Sequence, residues 1–149
     1  METYKIGIIG AGVIADFHAQ AIQAMDGAEL VAAFARKEDK AAAFASKYDC
    51  QGYSDLDTFL AHPDMQVVTI CSVSGAHLEH ATAAANAGKH IICEKPLEVT
   101  TERIDQMIRV CEENNVSLSG VFPRRFNDST HIFKQVIEAV SYTHLTLPT

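Results

Sequence analysis

The run Gly10-Ala11-Gly12-Val13-Ile14-Ala15 lies between a β-branched segment, Tyr4 to Ile9, and a segment of helical spacing, Val13 to Met25, marked by Phe17, Ala21 and Met25. Strand, tight turn and helix in that order leave bare amide N–H groups at a helix start, where the helix dipole favours an anion. Gly10 permits the turn, Gly12 lets backbone approach a pyrophosphate, and Ala15 allows helix and strand to pack closely. Gly10, Gly12, Val13 and Ile14 are therefore the first candidate binding residues.

The rest of the chain repeats the alternation. Glu29 to Ala35 is a short apolar run, followed by the alanine-rich stretch Glu38 to Tyr48, whose composition favours helix. Gln51 to Ser54 reads as a short strand, and Ser54 is expected to cap a short helix, Asp55 to Ala61, stopped by Pro63. Gln66 to Val73 is almost wholly apolar, as a strand buried on both faces must be. His77 to Ala87 reads as helix with Gly88 just past its end, and Lys89 to Cys93 as the next strand. Thr100 or Thr101 opens a helix with Ile104, Met107, Ile108 and Cys111 on one face; Asn114-Asn115 ends it, and Val116 to Phe122 is a sixth strand. Strands alternating with helices at this cadence predict a doubly wound α/β fold, a parallel sheet covered on both faces, of the Rossmann-like dinucleotide-binding kind.

At 149 residues the chain has room for one domain of ordinary size. Its formal charge of -7 repels phosphate backbones and anionic lipid, which argues against nucleic acid and membrane surfaces as partners. Met1-Glu2-Thr3-Tyr4 has no basic or apolar leader character, so a cytoplasmic location is expected. Cys50, Cys71, Cys93 and Cys111 are far apart and read as reduced thiols. His77 and His80 stand three apart, but no further ligand at metal-site spacing joins them, and no metal is expected.

An NAD-binding domain usually ends its second strand with an acid that accepts from the adenosine 2′-hydroxyl; here that place reads Phe34-Ala35-Arg36-Lys37. Ala35 removes the repelling carboxylate while Arg36 and Lys37 can neutralise a 2′-phosphate, so NADP is favoured over NAD. Glu94-Lys95-Pro96 follows the fifth strand, at the carboxyl edge where open α/β sheets place ligands. Together with the glycine turn, the Ser72 to His80 segment and the run Gly88 to Leu97, this E-K-P sequence resembles the glucose-fructose oxidoreductase, inositol dehydrogenase and MocA-like (Gfo/Idh/MocA) family over residues 3 to 138. The resemblance implies an NAD(P)-dependent oxidoreductase acting on a sugar, cyclitol or related hydroxyl compound. It implies Lys95 as the catalytic residue beside nicotinamide and substrate, with Glu94 orienting the loop and Pro96 shaping the pocket.

Relatives usually read T-P-x-x-x-H after the fourth strand, where this chain has Ser72-Val73-Ser74-Gly75-Ala76-His77. Ser72 keeps a hydroxyl for the cofactor, Val73 replaces the proline, and His77 is expected at the helix start or on the cofactor side. His18 reads as a packing or surface residue. Arg124-Arg125-Phe126 resembles the segment leading into a second domain, where Arg125 could reach substrate. A cofactor-sensing regulator on the same fold is the alternative reading, and a methyltransferase is disfavoured by the E-K-P sequence.

Residues 1–126 are expected to form the dinucleotide-binding domain and 127–139 the start of a helix leading into a second domain that this chain lacks. That helix, Ser129 to Ala139, carries Ile132, Phe133, Val136 and Ile137 on one side with no partner in the chain. Residues 140–149, VSYTHLTLPT, carry no charge and no periodicity, and GTC TCT TAT ACA CAT CTG ACG CTG CCG ACG, a transposase-type sequencing adapter, encodes all ten in order. They are read as a non-native scar. The expected parent is a longer, homo-oligomeric enzyme, and the present chain is expected to be inactive alone and prone to association.

Overall fold

The computed structural model describes residues 3–139, so the expectation for 140–149 lies outside the described residues. Six parallel strands form one sheet in the order β3-β2-β1-β4-β5-β6. They are β1 (Tyr4–Ile9), β2 (Ala28–Phe34), β3 (Gln51–Tyr53), β4 (Val67–Ile70), β5 (His90–Cys93) and β6 (Leu118–Gly120). The crossover helices are α1 (Val13–Gln23), α2 (Glu38–Tyr48), α3 (Leu56–Leu60), α4 (His77–Asn86) and α5 (Thr101–Glu113). The order reverses between β1 and β4, where loops leaving adjacent strands diverge and open a crevice at the carboxyl edge.

Side chains alternate across a strand, so the neighbours Ile8 and Ile9, both wholly buried, enter different cores. Ile8 joins Ala15, Ala19, Phe44 and Tyr48 of α1 and α2. Ile9 joins Phe59, Ala81, Ala84, Met107 and Cys111 of α3, α4 and α5. The sheet is thus covered on both faces, as its apolar strands require.

Local signals fall where the sequence places them at several points. Gly88 adopts φ +69 after α4, and its amide and that of Lys89 reach back to Ala85 and Ala84 carbonyls. Asn115 takes φ 55 at the predicted turn, and Thr100 caps α5 by accepting from Arg103 N–H. All four cysteines are free.

Three expectations need correction. Phe17 and Met25 are 63% and 56% exposed, and α1 buries Ala15, Ala19 and Ile22 instead. Two small residues let the helix lie close to the sheet, so the face beside the larger apolar stripe turns inward. Asp55, not Ser54, caps α3, its carboxylate accepting from Thr58 N–H at 2.9 Å. The fourth strand ends at Ile70, beyond which the chain turns into a carboxyl-edge loop, and the sixth is shorter than expected at both ends, Leu118–Gly120.

A short 3₁₀ turn, Pro123–Phe126, leads to α6 (Asp128–Glu138), none of whose residues is buried. Ile132, Phe133, Val136 and Ile137 are all exposed, as the pattern predicts for a helix without a partner. No helix of the described residues is long and apolar enough to cross a membrane.

Candidate cofactor site

A cavity of about 940 Å³ opens at the crevice, lined by Gly10, Ala11 and Gly12 from the first turn, Ala35 to Lys37 after β2, and Ser72 and His80 across from them. The two glycines serve it differently. Gly10 has φ +118, and an added Cβ would lie 2.8 Å from Cys71 O, so it is held by conformation and by the backbone of the neighbouring loop. Gly12 has an ordinary extended backbone and a Cβ there would meet nothing within 4 Å, which leaves open space on the cavity side. As N-cap of α1 it supplies no side chain, and no side chain caps the helix. Uncapped amides beside vacant space match what a pyrophosphate needs.

Val13 and Ile14 are exposed and lie outside the cavity lining, so their backbone amides at the helix start are what they can offer. Arg36 and Lys37 stand in the cavity lining, with Lys40 as a third cation; among the described residues the lining contains no carboxylate. Lys40 belongs to the first turn of α2, which brings it to the same lining as Arg36 and Lys37. The sequence reading stopped one residue short of that turn.

On the opposite wall, Ser72 Oγ lies 2.9 Å from His80 Nδ1, and the His80 ring meets Phe34 edge-on at 6.2 Å. Burial, then the nearby His77 and Arg36, push the His80 imidazole below its ordinary range, with Glu79 opposing. His80 thus enters the site as a cavity wall.

His77 sits elsewhere. It is 1% exposed and outside the lining, with Nδ1 3.0 Å from Pro96 O and 3.1 Å from Leu97 O, and Nε2 3.1 Å from Ser72 O. Of its two expected places His77 takes the helix start, as first residue of α4, and not the cavity side; its ring braces the loops after β4 and β5. Glu98 completes that brace: Oε2 accepts from Leu78 N–H at 2.9 Å and from Arg103 at 3.0 Å, and Oε1 from Val99 N–H at 2.8 Å. Burial alone would raise the Glu98 carboxyl, but the Leu78 amide, Arg103 and the Val99 amide outweigh it and hold it below the usual range. A glutamate in a loop offers no sequence signal for this role, since the partner helix start lies twenty residues away.

Glu94, Lys95 and Pro96 form the exit of β5, beside the cavity but outside its lining. Lys95 N–H donates to Glu94 Oε2 at 2.9 Å. The Lys95–Pro96 peptide bond is cis. The Lys95 side chain is exposed, and among the described residues its ammonium has no ion-pair partner. Arg125 lies in the exposed 3₁₀ turn after β6 and makes no side-chain contact to the cavity.

A family model described as an oxidoreductase family with an NAD-binding Rossmann fold matches residues 4–122. The chain belongs to that family. It is 34% identical over 137 residues to a myo-inositol 2-dehydrogenase from Thermotoga maritima, a match covering 91% of this chain and 40% of that protein. Among solved structures, scyllo-inositol dehydrogenase from Lactobacillus casei with bound NAD(H) and scyllo-inositol superposes with a TM-score of 0.84 at 32% identity, covering 93% of this chain and 42% of that one. The WlbA dehydrogenase from Bordetella pertussis, in complex with NADH and UDP-GlcNAcA, superposes with a TM-score of 0.89 at 29% identity, covering 94% and 42%. The chain spans about 40% of the length of these relatives. All are dehydrogenases, which favours the enzyme reading over the regulator.

Proposed function

We propose that this chain is the nucleotide-binding part of an NAD(P)-dependent oxidoreductase that moves hydride between the nicotinamide and a hydroxyl-bearing carbon of a sugar, cyclitol or related compound, with NADP(H) preferred. The observation that carries the reading is the cavity itself: an uncapped helix start and open glycine at one end, and a lining after β2 to which Arg36, Lys37 and Lys40 contribute but the intervening Glu38 and Asp39 do not. Backbone amides from Gly12 to Ile14 would hold the pyrophosphate, and Arg36, Lys37 and Lys40 would neutralise a 2′-phosphate. Ser72 adds a hydroxyl at the facing wall. NAD(H) or NADH occupies the two similar structures, while the cation cluster of this chain supports the phosphorylated cofactor.

The bound nicotinamide supplies the hydride acceptor or donor. Lys95, on a loop fixed by Glu94 and braced through Pro96 and Leu97, presents its ammonium at the sheet edge, where it would stabilise negative charge developing on the substrate oxygen. His77 and Glu98 act on that loop without touching the cofactor. Arg125, on the same edge, is a candidate contact to substrate. Proton exchange with the substrate hydroxyl needs a base, which we place in residues of a longer protein.

Calorimetric titration of the chain with NADPH and NADH tests the reading. NADPH is expected to bind at least about tenfold more tightly, the scale of one charge-assisted contact. Tighter binding of NADH overturns the preference, and binding of neither overturns the site.

A further inference from the structure

One polar chain of contacts lies beside the cavity and joins elements far apart in sequence. His18 stands on the second turn of α1, with its side chain 16% exposed and that of Glu94 13% exposed. Its Nε2 is 3.0 Å from Glu94 Oε1, and its Nδ1 is 2.8 Å from Oγ1 of the buried Thr69 on β4. The second carboxylate oxygen of Glu94 accepts from Lys95 N–H. Because a carboxylate only accepts, the ring nitrogen facing Glu94 carries a hydrogen; in the neutral ring Nδ1 is then the acceptor and the Thr69 hydroxyl donates to it.

Packing does not account for this arrangement. The contact of α1 with the sheet is made by Ala15, Ala19 and Ile22, none of which needs a histidine beside it. His18 instead spends both ring nitrogens on side chains of β4 and of the β5 exit. Without it, Glu94 Oε1 loses its donor in a mostly buried place, and the carboxylate is free to leave the geometry in which Oε2 receives the Lys95 amide.

We propose that His18 is a positioning residue for Lys95: it fixes the Glu94 carboxylate, which in turn fixes the backbone of Lys95, and so joins the helix whose N-terminus faces the cavity to the loop that bears the lysine. The consequence for turnover rests on the oxidoreductase reading above; the coupling of His18 to the Lys95 backbone does not.

Two variants of similar size separate this role from packing. In His18→Gln the amide nitrogen can take the place of Nε2 and donate to Glu94, whereas His18→Leu fills the space without a donor. Amide hydrogen exchange of the 149-residue chain, followed by NMR, is the first readout. In His18→Leu the Lys95 amide is expected to exchange at least about tenfold faster while the amides of β4 and β5 keep their protection, and His18→Gln is expected to restore it to within about threefold. An unchanged Lys95 amide in His18→Leu, equal acceleration across β4 and β5, or equal behaviour of the two variants overturns the proposal. Should His18→Leu not fold, His18→Asn, polar but too short to reach Glu94, takes its place with the same expectations.

The second readout is steady-state kinetics in the longer oxidoreductase that the proposed function implies, with Lys95→Ala alongside. His18→Leu is expected to lower kcat about tenfold to a hundredfold with the NADPH dissociation constant within about threefold. Wild-type turnover in His18→Leu beside an inactive Lys95→Ala overturns the positioning role. Full turnover in Lys95→Ala overturns the reading of the lysine instead, and hydrogen exchange still decides whether His18 holds its backbone.

Discussion

The two walls of the crevice are built by opposite means. Along β1 and β2 the wall is backbone and exposed charge: a left-handed glycine, an open glycine, uncapped amides and three long cations with nothing among the described residues to hold them in place. Along β4 and β5 the loops are pinned by buried side chains, His77 against three carbonyls and Glu98 against two amides and Arg103. A wall that must neutralise phosphate can leave its charges mobile, because Coulomb attraction acts without exact geometry. On the proposed function, the other wall has to aim the Lys95 ammonium at a reacting oxygen and so has to be rigid, since misplacement of about 1 Å can cost a hundredfold in rate.

If that division holds, perturbing the rigid wall affects chemistry and stability, and perturbing the open wall affects binding, apart from Gly10, which its φ and the Cys71 carbonyl hold in place. The largest expected effect is on turnover. In the longer protein, Lys95→Ala should lower kcat by about 10²–10³ while the NADPH dissociation constant moves less than about threefold, because the lost interaction exists chiefly in the transition state. An unchanged kcat removes Lys95 from the mechanism.

Next is the brace. His77→Ala removes the ring that sits against three backbone carbonyls and leaves a void in a fully buried place, and should destabilise the chain by roughly 2–4 kcal/mol in urea unfolding. A loss below about 1 kcal/mol would show that the loops after β4 and β5 hold themselves.

The glycine turn offers the cleanest separation. Gly10→Ala meets both an unfavourable φ and the Cys71 carbonyl, and should cost roughly 1–3 kcal/mol of stability. Gly12→Ala meets no atom, so stability should stay within about 0.5 kcal/mol, while NADPH affinity falls tenfold or more as the methyl occupies the open side of the turn. Equal loss of stability in both would mean that Gly12 is structural too.

Arg36→Ala should weaken NADPH by roughly tenfold to a hundredfold and leave NADH nearly unchanged. Equal losses for the two cofactors would assign Arg36 to the adenine instead of the 2′-phosphate.

The smallest effect is a pH dependence with two stages. The His80 imidazole is held low by burial, so the unfolded chain takes up that proton first, and stability present above about pH 6.5 should begin to fall below it. Glu98 is also held low, so its contribution is full above about pH 4.3 and is lost as pH falls through that value towards the lower native one. Urea midpoints measured from pH 8 to pH 3 should show both stages, with His80→Gln flattening the first and Glu98→Gln the second. A midpoint independent of pH in either range would refute the assignment for that residue.

Much of the open wall is legible in the sequence, because its parts are neighbours in the chain. Gly10, Gly12, Arg36 and Lys37 fall within two strand-to-helix turns, and the chemistry of a turn is set by a few adjacent residues. The rigid wall was only half readable. Glu94-Lys95-Pro96 stands out as charge following an apolar strand, and His77 does open a helix, one of its two expected places, but its buried bracing role is not legible, nor is the way His18, read as a packing or surface residue, bridges β4 to Glu94.

The same limit governs the fold. Apolar period, glycine ends and caps specify strands and helices within about ten residues of chain, which is why the alternation and the parallel sheet follow from the sequence alone. They do not specify which side of a helix meets the sheet: the stripe Phe17, Ala21, Met25 and the small-residue face Ala15, Ala19, Ile22 have the same period, and only the close approach of α1 to β1 and β2 selects the second. Nor can they specify a hydrogen bond between residues 76 positions apart, such as His18 to Glu94. Such a bond depends on two elements being placed within 3 Å by the whole core, and no local pattern encodes that placement.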